Sequence, residues 1–148
     1  MPHAGLMNER SMGPEEGPLF RAKLHIRGGR RRLRQGKFSA AVVTLSDALN
    51  GALEWYVASP ERRGMLSIEH GDNLNEDRSI YNLLVRSKVL DGRFDFDAFD
   101  RLVERALHEE LRWLDYGETL KGIESVMLQL GVMPFDEAAL PPEDPATY

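Results

Sequence analysis

Residues 37–58 read KFSAAVVTLSDALNGALEWYVA, and this stretch decides the fold. Phe38, Ala41, Val42, Leu45, Ala48, Leu49, Ala52, Leu53 and Tyr56 recur at helical steps and form one continuous stripe. That period places all nine on one helix face, with Ser39 positioned to cap the start. Upstream, Leu19, Ala22, Ile26, Gly29 and Leu33 fall at alternating steps of three and four, so a first helix is expected from about residue 18 to 35. Pro18 suits its first turn and Gly36 its end. Gly28 and Gly29 sit inside that helix at an intrinsic cost of roughly 0.5–1 kcal/mol each. Because the stripe resumes in phase at Leu33, the glycines are read as a site of close approach to a second helix rather than a break.

Working downstream, residues 59–73 read as a long loop broken by Pro60, Gly64 and Gly71, a length that suggests a mobile or functional element. A third helix is expected over about 75–90, with Ile80, Leu83, Leu84 and Leu90 on one side and Asn75 as cap. Asp91-Gly92 is a turn pair, and Asp95 or Asp97 opens a fourth helix whose face runs through Phe99, Leu102, Val103, Ala106, Leu107, Glu110, Leu111 and Leu114. Leu120, Ile123, Met127 and Leu130 define a fifth, closed by Gly131. Strand alternation is confined to the four residues 94–97, so the expected class is all-α, an antiparallel bundle of about five helices.

The ends read differently. Residues 1–17 hold three glycines and no periodic pattern, and 133–148 form an acidic, proline-rich tail. Both compositions favour solvated coil, giving a disordered segment 1–17, a bundle 18–132 and a tail 133–148. The chain has 148 residues, 42% of them hydrophobic and 29% charged, enough for one core. It has no cysteine, which excludes disulfides, Cys-ligated metals and a thiol nucleophile. No apolar run exceeds four residues, far short of the ~20 that span a bilayer, and the opening residues show no secretory pattern, so a cytoplasmic location without membrane partner is expected.

The stretch GGRRRLRQGKFSAAVVTLSDAL resembles part of a tetratricopeptide repeat. Gly29, Gly36, Phe38, Ala41, Leu45 and Ala48 match that family's small, turn and helix-packing positions, while His25, Arg32 and Leu53 depart from it. The resemblance covers one hairpin and implies a helical protein-binding module. Length and helix order also resemble HEPN domains, antiparallel bundles whose ribonuclease members carry an Arg followed after four to six residues by a His. Arg101 and His108 have that spacing, as do Arg63 and His70. The resemblance implies RNA cleavage or nucleotide binding through Arg101 and His108 as an alternative function, with His108 as acid or base and Arg101 stabilising phosphate charge in the cleaving case.

Charge is segregated. Residues 18–37 carry eight basic side chains and no acid: Arg21, Lys23, Arg27, Arg30, Arg31, Arg32, Arg34 and Lys37. Arg27, Arg30, Arg31, Arg34 and Lys37 are the candidate surface for an anionic partner. The overall net charge of -5 and the lack of interleaved aromatics count against nucleic acid and favour an acidic protein, self-association, or neutralisation by the acidic tail. The segment EHGDNLNED (69–77) has metal-binding residue types but fails the EF-hand spacing, and capping chemistry is the simpler reading. His108 lies between Glu104 and Arg112 at four-residue steps, beside an Arg105–Glu109 pair. Trp55, Tyr56, Trp113 and Tyr116 cluster at expected helix ends, where some could anchor a partner. No nucleophile elbow, phosphate loop or zinc helix occurs, and no cofactor is expected. The leading expectation is therefore a non-enzymatic interaction or adaptor module.

Overall fold

A computed structural model describes residues 12–147, and the N-terminal expectation for residues 1–11 lies outside that range. Among the described residues six helices follow in order: α1 (Glu16–Arg34), α2 (Phe38–Ala58), α3 (Pro60–Arg63), α4 (Asp77–Arg86), α5 (Phe96–His108) and α6 (Tyr116–Leu130). Two 3-10 turns, Glu137–Ala139 and Pro145–Thr147, complete the tail. No strand occurs among the described residues, and none of their helices is long and apolar enough to cross a membrane.

α2 is the axis of the fold because it is apolar around most of its circumference: Asp47 and Glu54 are its only charges. It touches all five other helices. Val42, Leu45, Ala48, Ala52 and Leu53 are fully buried there, joined by Ile26 of α1, Ile80 and Leu84 of α4, Phe99 of α5 and Ile123 and Met127 of α6.

α1 and α2 form the hairpin that the glycine pattern predicts. Gly36, with φ of +73°, lets Lys37 N–H donate to Arg32 O at 2.9 Å and so closes α1. A Cβ at Gly29 would stand 2.5 Å from Leu45 Cδ2, so the in-phase glycine is a point of close helix approach. Gly51 makes a closer one that the stripe does not reveal. Its missing Cβ would lie 2.8 Å from Pro18 O and 2.9 Å from Ala22 N, both backbone atoms of α1.

Several expectations change in detail. Ser39 does not cap α2; its hydroxyl is buried and donates to Glu109 O at 2.8 Å while accepting from Leu111 N–H at 2.8 Å. That clamp follows the end of α5 at His108 and brings Leu111 into the core; Leu107, within α5, faces solvent. Asp95, not Asp97, caps α5, accepting from Ala98 N–H at 2.9 Å. α4 starts at Asp77, and Asn75 does not cap it. The 59–73 loop contains the short helix α3, capped by Ser59 and started by Pro60. α1 begins at Glu16, two residues ahead of the proline. The tail is not a free coil over its described length: it returns across α1.

Candidate functional site

The basic run of α1 is divided three ways by the fold. His25, Arg32 and the two glycines turn toward α2. Arg32 is buried and donates to Thr44 Oγ1 at 3.1 Å; burial, and then the neighbouring Arg31 charge, hold its pKa below the ordinary guanidinium value. His25 is fully buried, its Nδ1 2.8 Å from Arg21 O and its Nε2 3.8 Å from Asp47 Oδ2. Sequence reasoning had no signal for this burial beyond the aromatic position that His25 takes in the repeat pattern.

The second group meets the tail. Arg30 donates to Glu124 of α6 at 2.8 Å and to Glu137 of the tail at 2.6 Å. Arg31 pairs with Glu143, and Arg27 Nε lies 3.7 Å from the same carboxylate. Lys23 sits 5.6 Å from the centroid of the Phe135 ring. The side chains of Arg27 and Arg31 are only 12% and 9% exposed, so their charges stand close to the low-dielectric interior.

The third group, Arg34 and Lys37, stays exposed at the hairpin tip and has no ion pair among the described residues. Elsewhere on its surface the chain exposes large apolar side chains. Trp113 is 77% exposed, Leu107 59% and Tyr116 45%. Tyr116 stacks on Phe38, the residue after Lys37, with ring centroids 6.3 Å apart. Leu107, Trp113 and Tyr116 flank the 109–111 segment that Ser39 clamps to the start of α2, so the helix-end aromatics split. Trp55 is half-buried with Arg62 stacked on it at 3.8 Å, whereas Trp113 is presented outward.

Arg101 and His108 are both exposed on α5. His108 Nε2 lies 3.0 Å from Glu104 Oε1, and Arg105 donates to Glu109 at 2.9 Å, so that face is a ladder of i,i+4 pairs. Neither residue lines the 490 Å3 cleft between α2, α4 and α5 or the 580 Å3 cleft between α5 and α6. In the first cleft, Arg21 donates to Asn50 at 2.6 Å and Asn50 donates to Asp77 at 2.8 Å. Burial is the main cause that raises the Asp77 pKa; the Asn50 hydrogen bond works against it. Arg78 bridges Asp97 at 3.1 Å and Asp100 at 2.9 Å on the rim.

In the 64–76 loop Asp72 and Glu69 are spent on tethering the loop. Asp72 accepts from Glu69 N–H at 2.7 Å and from Arg86 at 2.6 Å, and Arg86 also donates to Ser67 O at 2.9 Å. Among the described residues no three His, Asp or Glu side chains converge to hold a metal ion. Comparison with known proteins leaves the geometry to speak alone: no family model, no curated protein and no solved structure matches the chain.

Proposed function

We propose that this chain is a non-enzymatic helical interaction module that associates with a second copy of itself through the surface formed by Leu107, Trp113 and Tyr116. The observation that carries the reading is the exposure of Trp113, Leu107 and Tyr116 together on ten residues of chain. Exposed large apolar and aromatic side chains of this kind favour partner contact. The rim supports a self-complementary contact. Glu104, Arg105, Glu109, Glu110, Arg112 and Asp115 lie along the same stretch of chain as the three apolar residues, so that stretch carries both signs. The RNA-cleaving alternative requires Arg101 and His108 to converge in a concave site, and their positions on the open face of α5, with His108 engaged by Glu104, give it no support.

Sedimentation velocity over a hundredfold concentration range tests the proposal. The wild-type chain is expected to shift from monomer toward dimer, and Trp113→Ser with Leu107→Ser to stay monomeric with an unchanged circular dichroism spectrum. A wild-type chain that remains monomeric, or a double variant that dimerises as well as wild type, refutes it.

A further inference from the structure

We infer that Trp113 of one copy docks in the cleft between α2, α4 and α5 of a second copy, with Arg112 paired to Asp100 at the acidic mouth of that cleft, and that the exchange is reciprocal about a two-fold axis beside Leu107. This rests on the self-association reading and deepens it by naming what receives the anchor.

The first ground is that the cleft and the exposed patch share one face of α5. Phe96, Asp100 and Val103 line the cleft, and Leu107 follows them at alternating steps of four and three residues. Leu107 therefore extends the α5 wall of the cleft beyond its mouth, about 10 Å from Asp100 at the helical rise per residue. Trp113 lies on the far side of Leu107. Its segment is held at the N-terminal end of α2, where Ser39 bonds Glu109 and Leu111, and Phe38 stacks on Tyr116. The cleft opens further along α2, at Ser46, Leu49 and Asn50, which begin about 12 Å on from Phe38. Anchor, Leu107 and cleft thus follow one another along the bundle. A two-fold axis beside the middle member brings the anchor of each copy to the cleft of the other, the reciprocal contact that a closed dimer requires.

The second ground is fit. The cleft measures 490 Å3, within the range of about 300–1,000 Å3 usual for ligand pockets, so it has room for an indole. Leu49, Phe96, Phe99 and Val103 give it apolar walls. These are fixed before any partner arrives: Tyr81 stacks on Phe96 with centroids 5.3 Å apart, and Phe99 is buried. An indole placed there makes aromatic contacts in addition to the apolar surface it removes from water.

The third ground is charge. Glu76, Asp77 and Asp100 line the cleft against one base, Arg78. Asp77 accepts from the neutral Asn50 amide, and burial first, with Glu54 and Asp100 adding to it, pushes its pKa up. The mouth is therefore short of positive charge. Arg78 bonds Asp100 at 2.9 Å and lies 6.0 Å from the centroid of Phe96, so this wall already holds one guanidinium. Arg112, exposed and adjoining Trp113 in sequence, supplies a second from the partner copy.

The test is sedimentation velocity on the full chain and its variants. Ser46→Trp fills the cleft from α2 and is expected to weaken dimerisation at least about tenfold, as Trp113→Ser does, with an unchanged circular dichroism spectrum. Asp100→Arg and Arg112→Asp should each weaken it about tenfold, and the two combined in one chain should restore it, because the pair re-forms with its signs exchanged. Both sites of that exchange are exposed, so its outcome does not depend on how Ser46→Trp folds. A Ser46→Trp or Asp100→Arg chain that dimerises as tightly as wild type overturns this inference and leaves self-association standing. A charge exchange that stays as weak as either single variant overturns it too. A wild-type chain that remains monomeric overturns both readings.

Discussion

Replacing Gly51 with alanine tests the central packing claim, that α1 and α2 touch backbone to backbone. The added Cβ would lie 2.8 Å from Pro18 O, 2.9 Å from Ala22 N and 3.2 Å from Ala22 Cα. Comfortable non-bonded separation for carbon is about 3.5–4.0 Å. All three atoms belong to the main chain of α1, so no side-chain rotation relieves the overlap and the N-terminal half of α1 must lift. Lifting strains the Arg21 hydrogen bonds to Asn50 and Glu54, which flank the same contact. Overpacking of this kind costs about 1–3 kcal/mol, and the better helix propensity of alanine offsets about 0.5–1 of it. The net is a loss of about 1–2 kcal/mol, which lowers Tm by about 2–8 °C in a chain this size. Gly117→Ala makes the same chemical change in α6, where the nearest atom, Asp115 Oδ1, is 4.0 Å away. That variant should match or exceed the wild-type Tm. Thermal melts followed by far-ultraviolet circular dichroism read both. A Gly51→Ala chain that melts at or above wild type would refute the backbone contact.

Three other outcomes are expected. Leu45→Ala removes a fully buried side chain at the point where α2 faces Gly29 and should cost about 2–5 kcal/mol in urea unfolding; a loss below 1 kcal/mol would contradict the core assignment. Because the folded-state pKa of Asp77 is raised, chiefly by burial, its stabilising contribution is full below the ordinary carboxylate range and is lost as pH rises through the folded value. Asp77→Asn keeps an acceptor for Asn50 and should therefore gain on wild type as pH goes from about 3 to 7; a difference in Tm that is flat or falls with pH argues against it. Asp72 has the opposite sign: the Glu69 amide first, and Arg86 next, hold its pKa down, so the loop tether is present above the ordinary range and fails as pH falls through the depressed value. Arg86→Ala at neutral pH should speed hydrogen exchange over residues 66–74 and leave α2 unchanged, and protection that persists there would mean the loop has another anchor.

Much of this fold is legible in the apolar period because α2 is so rich in small and aliphatic residues. Leu45, Ala48, Ala52 and Leu53 are buried as their spacing implies. The failures have a common physical origin in contacts between residues far apart in sequence. Ser39 reads as a cap because it stands near a helix start, yet its hydroxyl serves Glu109 and Leu111, some seventy residues on. That same clamp ends α5 early, and Leu107, at the edge of the apolar stripe one residue past buried Ala106, faces solvent. Gly51 falls off the stripe altogether, and only the placement of Pro18 and Ala22 explains it. Periodicity reports which face a residue occupies, not which distant backbone arrives there.

The charged run shows the same limit more sharply. Arg27, Arg30, Arg31, Arg34 and Lys37 belong to one acid-free basic run in sequence, and composition alone treats them as one candidate surface. On a helix they cannot share a face, and the fold assigns them by angle. Arg32 turns to α2 and is buried, Arg27, Arg30 and Arg31 turn to the tail and α6, and Arg34 and Lys37 pass the end of the helix into solvent. A phosphate-tracking surface needs its cations free and aligned, whereas here the aligned ones are shielded and met by carboxylates. What remains outward is a pair of charges beside Phe38, Tyr116 and Trp113, a composition suited to a protein interface. The division of one basic block between an internal carboxylate seat and an aromatic tip is thus the physical reason to look for protein rather than nucleic-acid partners.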